Sequence, residues 1–180
     1  MNGAMFNSLG RFVDKRYPQI SFSDLCRKAS LKTNVFAELT WYPDDDLVNL
    51  MQTLSQATET ELSTLWRDFG RETFGYFADI FGDYMHNVRT VGELITTVNK
   101  IHHHIKNDGL GTPPRLEFRE ASSDHFDIRY ASERKLDDFF LGMLEGAVKH
   151  FGAEVTILGR KERGRLTVTV TVKETELAGV

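Results

Sequence analysis

The 180-residue chain has a single cysteine, Cys26, so an internal disulfide is impossible and a thiolate-rich zinc site is excluded with it. It also lacks a long apolar run: no stretch approaches the roughly 20 residues that a membrane-spanning helix needs. Basic charge is not in excess. With 22 Lys and Arg against 26 Asp and Glu the formal net charge is −4, which argues against a nucleic-acid partner. The opening, Met1–Ser8, has neither a basic segment nor an apolar core of the kind that signals carry, so a cytoplasmic protein without membrane attachment is expected. No linker, repeat or low-complexity tract divides the chain, and its length suits one substantial core spanning 1–180. What it has in plenty is phenylalanine. Thirteen of them fit either a Phe-rich core or a pocket for a large, flat, apolar ligand.

The first third reads as helices. Met5, Phe6, Leu9, Phe12 and Val13 form an apolar stripe on a helix that begins at Ala4 and is ended by Tyr17-Pro18. Ser23-Asp24 opens a short second helix through Leu25, Cys26 and Ala29, and Phe36–Tyr42 reads as a packed loop. Pro43 and three aspartates, Asp44–Asp46, mark the next start, where an aspartate can cap and negative charge suits the helix dipole. Three adjacent acids also raise calcium, but the later glycine and acid of an EF-hand loop are missing. Thr58–Thr60 with Glu61 starts an aromatic helix carrying Leu65, Trp66, Phe69, Phe74, Phe77 and Ile80. Gly70 and Gly75 lie inside it, each costing about 1 kcal/mol relative to alanine, which points to the close approach of another helix or of a ligand plane.

Val91–Lys106 is a helix with Val91, Leu94, Ile95, Val98, Ile101 and Ile105 on one arc. At 3.6 residues per turn, taking Val98 as zero, His102 falls at roughly 40° on that arc, with His103 at roughly 140° and His104 at roughly −120°. Three consecutive histidines on a helix therefore cannot converge on one metal. His102 alone faces the interior, either as a hydrogen-bonded core residue or as a ligand. After a glycine-containing loop, Pro113-Pro114 fixes the backbone ahead of a strand over Arg115–Arg119. A turn at Ala121–Asp124 leads to a return strand, His125–Ala131, with Phe126, Ile128 and Tyr130 on one face. Tyr130, Ser132 and Arg134 alternate, so an extended segment would aim a phenol, a hydroxyl and a guanidinium to one side, as a carboxylate ligand or a plain exposed strand edge would have them. A long helix follows from Glu133 or Arg134 to about Phe151, with Gly142 and Gly146 four apart. Glu154–Leu158, a Gly159–Gly164 turn and Arg165–Lys173 close the chain, the last alternating Leu166, Val168, Val170 and Val172 with Thr167, Thr169 and Thr171. Helices first and an antiparallel sheet second make the class α+β. Strand order is not readable.

Together, the Tyr130-x-Ser132-x-Arg134 row, the Thr112-Pro113-Pro114-Arg115-Leu116 segment, the interior histidine and Phe139-Phe140-Leu141-Gly142-Met143-Leu144-Glu145-Gly146 resemble the heme nitric oxide/oxygen-binding (H-NOX) family, related to the heme domain of soluble guanylate cyclase. The resemblance covers nearly the whole chain. It implies an N-terminal helical part over 1–60 and a heme-binding core over 61–180, with heme b buried between them and its ferrous iron ligated by His102. Tyr130, Ser132 and Arg134 would hold the propionates, and Pro114 would press on the porphyrin. Met5, Phe74, Phe77, Phe139, Met143 and Leu144 would line the pocket.

The same resemblance implies a sensor and not an enzyme, binding nitric oxide and carbon monoxide and signalling by release of His102 to a separate protein, such as a histidine kinase or a cyclic-di-GMP enzyme. Oxygen-binding relatives carry a distal tyrosine where this sequence has Phe139, and supporting tryptophan and asparagine where it has Leu9 and Thr73. Weak or no oxygen binding is therefore expected. Thr73 can satisfy its hydroxyl on its own helix carbonyl, and Tyr76 is expected off the pocket face. The competing readings are a heme-free interaction module of the same fold and a heme enzyme, which would need a distal acid–base pair.

Overall fold

The structure, a computed structural model, describes residues 1–109, 112–122, 125–152, 155–162 and 165–172. Among the described residues seven helices and four strands follow in the order α1 (Gly3–Arg16), α2 (Phe22–Lys28), α3 (Asp44–Thr58), α4 (Leu62–Ile80), α5 (Gly82–Met85), α6 (Val91–Asn107), β1 (Arg115–Ser122), β2 (His125–Ala131), α7 (Asp137–His150), β3 (Val155–Glu162) and β4 (Arg165–Val172). The class is α+β, as expected. The short α5 was not foreseen.

The four strands form one antiparallel sheet in the order β1-β2-β4-β3. Its register sets Ile128 opposite Phe118 and Val168, and Tyr130 opposite Leu116 and Leu166. The alternation puts these side chains on one face, which packs against α7 and α6 through Phe140, Leu144, Val91 and Ile95. A separate helical core joins α1, α3 and the first half of α4, where Phe6, Leu9, Leu50 and Phe69 are fully buried. Among the described residues, no helix is long and apolar enough to cross a membrane.

Close packing of α4 on α7 connects these halves. A Cβ on Gly142 would lie 2.0 Å from the carbonyl oxygen of Arg67, and one on Gly70 would lie 2.3 Å from that of Phe139. The glycines of both helices thus let backbone approach backbone, and the neighbour is a helix and not a ligand. Gly75 serves no such purpose, since nothing lies within 4 Å of a Cβ there. Beside the seam Arg67 and Arg71 both bond the Glu145 carboxylate, and Arg71 also pairs with Asp68.

Several boundaries differ from the sequence reading. α7 begins at Asp137 and not at Glu133 or Arg134. Lys135 sits at φ 53° and donates its N–H to the Ser132 carbonyl at 3.3 Å, a turn that no helical start can include. Most of the expected Gly159–Gly164 turn is strand: β3 runs on through Glu162, which faces Arg165 of β4. Its charges hid the pairing. β1 likewise runs on to Ser122, and Ser123, Asp124, Arg163 and Gly164 lie outside the described residues. α2 starts two residues early, capped by Ser21, and α4 starts after Glu61. At α3 the cap position is Pro43, and none of the three aspartates caps.

Candidate functional site

A cavity of about 290 Å³ lies between the two halves of the molecule. One wall belongs to α4 and α7, and every side chain they contribute is apolar: Phe74, Phe77, Phe139 and Met143 among them, with Leu144 deeper. The facing wall is α6, through Leu94, Val98, Ile101, His102 and Ile105. Met5 of α1 and Trp41 close one side, and Pro114, Tyr130, Ser132 and Arg134 another. All eleven side chains that the sequence singled out therefore border one space.

The helical phase of the histidines holds. His102 is half-buried on the cavity wall, whereas His103 and His104 are exposed, His103 bonding Asn107 at 2.9 Å. His102 Nδ1 lies 2.9 Å from the carbonyl oxygen of Pro114. A carbonyl only accepts, so the proton resides on Nδ1 and Nε2 keeps its lone pair. Burial pushes the imidazole pKa below the usual histidine range, with the Pro114 bond working in the other direction. The ring is thus neutral at neutral pH, the form that ligates a metal.

The polar end is built differently from the extended row that alternation predicts. β2 ends at Ala131, so only Tyr130 points inward from a strand. Ser132 and Arg134 belong to the turn that Lys135 tightens, with the Arg134 N–H donating to Ser132 Oγ at 3.3 Å. The three meet at the cavity through that turn. Tyr130 stacks on Phe140 at 4.4 Å, and burial raises its phenol pKa. Arg134 donates from Nε to Asp44 Oδ2 at 2.5 Å and from Nη1 to the Thr112 carbonyl at 2.9 Å. Asp44 accepts as well from the α-amino group of Met1. Burial alone would raise the pKa of this carboxyl, but those two cationic donors outweigh it and hold it low.

Asp44 and Trp41 were not anticipated. Asp44 was visible as an acid at a helix start, yet no local pattern could point to a partner 90 positions on. Trp41 sat in a segment legible only as a packed loop. The distal helix hydroxyls also have partners. Thr73 is buried and shares a 2.8 Å hydrogen bond with Ser8 of α1, not with its own helix carbonyl. Tyr76 donates to Glu38 Oε1 at 2.9 Å beneath the Arg11 guanidinium, away from the cavity as expected. Leu9 is fully buried in the helical core and does not border the cavity.

Among the described residues no three His, Cys, Asp or Glu side chains cluster to hold a metal. A bare ion has no cage here. One neutral imidazole in an apolar slot, with an arginine, a serine and a tyrosine at one end, suits a metal already chelated by a flat ring that bears acidic groups on its edge. That is the chemistry of heme, and the residues present fit it.

A helical half and an antiparallel sheet enclosing such a slot define a heme-holding domain. The haem-NO-binding family model matches residues 2–158, and the chain belongs to this family, known as H-NOX. Solved structures agree. An engineered T. tengcongensis H-NOX variant is 25% identical with a TM-score of 0.84, covering 97% of this chain and 98% of its own. An oxygen complex of an H-NOX domain related to soluble guanylate cyclases is 24% identical with a TM-score of 0.85, covering 97% and 96%. An S. oneidensis H-NOX in its Fe(II)NO state is 20% identical with a TM-score of 0.84, covering 97% and 100%. Among curated proteins no match is found.

Proposed function

We propose that this chain is a nitric oxide sensor that reports to a separate effector through His102 and α6. The observation that carries this reading is the His102 ring itself, neutral, with Nδ1 committed to the Pro114 carbonyl and Nε2 left for a metal on a cavity wall. His102 is the residue that would hold heme iron, and a bound ferrous heme would supply the capacity to take a diatomic gas. Tyr130, Ser132 and Arg134 are the residues that would bind the propionates, and Pro114 with the apolar walls would bound the ring. Detachment of His102 would free α6, the element that would carry the signal to a partner such as a histidine kinase or a cyclic-di-GMP enzyme.

Gas choice follows from the opposite wall. Bound oxygen gains from a buried donor, by about 1–3 kcal/mol for a hydrogen bond to a charged acceptor, whereas nitric oxide and carbon monoxide need none. α4 and α7 offer only apolar side chains to the cavity, the hydroxyls of Thr73 and Tyr76 are engaged elsewhere, and Tyr84 of α5, which also borders the space, is 59% exposed and not a buried donor. The chain is thus suited to nitric oxide and carbon monoxide and poorly to oxygen.

The test is the visible spectrum of protein purified with heme available. We expect a ferrous Soret band that shifts with nitric oxide and carbon monoxide and is unchanged in air-saturated buffer over minutes. His102→Gly should lose heme or need imidazole to keep it, while His103→Ala matches the parent. No heme uptake on reconstitution would leave an interaction module, and heme loss in His103→Ala instead of His102→Gly would overturn the ligand.

A further inference from the structure

Two side chains of α6, three positions apart and so on one face, reach the segment that leaves Pro113-Pro114. Asn99 Nδ2 donates to the Leu116 carbonyl at 2.8 Å, and His102 Nδ1 to that of Pro114 at 2.9 Å. The acceptors are two residues apart in extended backbone, so their carbonyls share a direction. The order is reversed, 99 with 116 and 102 with 114, so α6 runs antiparallel to the segment. β1 is the edge strand of the sheet, and α6 packs on it. Asn99 is half-buried, and its amide adds a directional bond to β1 beside the apolar packing of Val91 and Ile95 with Leu116.

From this we infer that Asn99 is a positioning residue: its amide, anchored on Leu116, sets how far α6 carries His102 toward the cavity and holds the helix to β1 when the imidazole moves. The inference rests on His102 being the iron ligand. Pro114 lacks an N–H and is fixed in φ, so the segment is a stiff rail, and the helix slides along it only by breaking one or both bonds. With Asn99 in place, loss of the His102 contact turns α6 about a remaining anchor. Without Asn99, the same event lets the helix drift.

The test uses Asn99→Asp, which keeps the shape, removes the donor and sets a carboxylate against a carbonyl. In the heme-free protein we expect amide hydrogen exchange in the second half of α6 to rise about two- to tenfold, the range a neutral hydrogen bond supports. In heme-loaded ferrous protein titrated with nitric oxide, the spectrum should show histidine detached in a larger share of molecules than in the parent. Thr90→Ala is the control. It breaks the capping box in which Thr90 and Glu93 bond reciprocally, loosens α6 at its far end, and should leave histidine attachment as in the parent. If Thr90→Ala shifts attachment as much as Asn99→Asp, general helix stability explains the effect and the inference is overturned. Equal exchange and equal attachment in Asn99→Asp and parent overturn it too. A parent that takes up no heme overturns the proposed function as well, whereas a heme-loaded parent with an unaffected Asn99→Asp overturns this inference alone.

Discussion

Between α4 and α7 backbone lies on backbone, while α6 is tied through the side chains of Asn99 and His102 to Leu116 of β1 and to Pro114 just before it. Both pairs wall the same cavity. The first seam has glycines at the crossing and a carboxylate, Glu145, gripped by two arginines. The second has one hydrogen bond to β1 and one to Pro114 just ahead of it, with a stripe that is buried at Val91, Leu94 and Ile95 and half-buried from Val98 on. Packed interiors shift between discrete arrangements and do not deform smoothly. The wall with fewer and weaker ties is the one that a change in the cavity can displace, and it carries His102.

The largest effect expected from breaking this contrast comes from Gly142→Ala. Its methyl group would meet the Arg67 carbonyl at 2.0 Å, and that backbone cannot turn aside. The helices must separate, at a cost of about 3 kcal/mol or more, read as a lowered urea midpoint. An unchanged midpoint would show that the seam is looser than its geometry.

A smaller effect, about 1–2 kcal/mol at neutral pH, is expected for Glu145→Gln, which gives up the charge on hydrogen bonds from Arg67 and Arg71. It also has a pH signature. Burial would raise the Glu145 pKa, but the two arginines outweigh it and hold the carboxyl below its ordinary value. A depressed folded-state pKa stabilises the fold above the usual carboxylate range and loses that effect as pH falls through the folded value. The gap in stability between parent and Glu145→Gln should therefore narrow below about pH 4. A gap that is constant from pH 7 to pH 3 would take the ion pair out of the account.

The smallest change sharpens the contrast from the other side. Gly75→Ala has open space around the new methyl and should stabilise α4 by up to about 1 kcal/mol. A loss of stability there would mean that something not seen at Gly75 needs the glycine.

How far the sequence reached depended on the range of the signal. Helical phase is local, and it separated His102 from His103 and His104 correctly. Alternation is local too, and it assigned Phe126, Ile128 and Tyr130 to one face. The reading failed where a single backbone state or a distant partner decided. A left-handed Lys135 turned Ser132 and Arg134 out of the strand that alternation assumed, and no residue type at 135 announces that. Asp44 looked like a dipole acid and was in fact committed to Arg134. The charges of Arg160-Lys161-Glu162 read as a turn because a strand beyond the core has no apolar face to show. Ser8 and Thr73 gave no sign of each other, since two small hydroxyls on separate helices leave no periodic mark.

Arg134 reaches the cavity edge already held at two points, by Asp44 and by the Thr112 carbonyl. A flexible arginine carries about 2 kcal/mol of rotamer entropy, which a ligand ordinarily removes when it docks. Here folding has removed much of it beforehand. If Arg134 receives the propionates as proposed, an incoming carboxylate would find the guanidinium plane at a set angle, and a ring whose acidic arms match that angle would be favoured over a floppy dicarboxylate of the same charge.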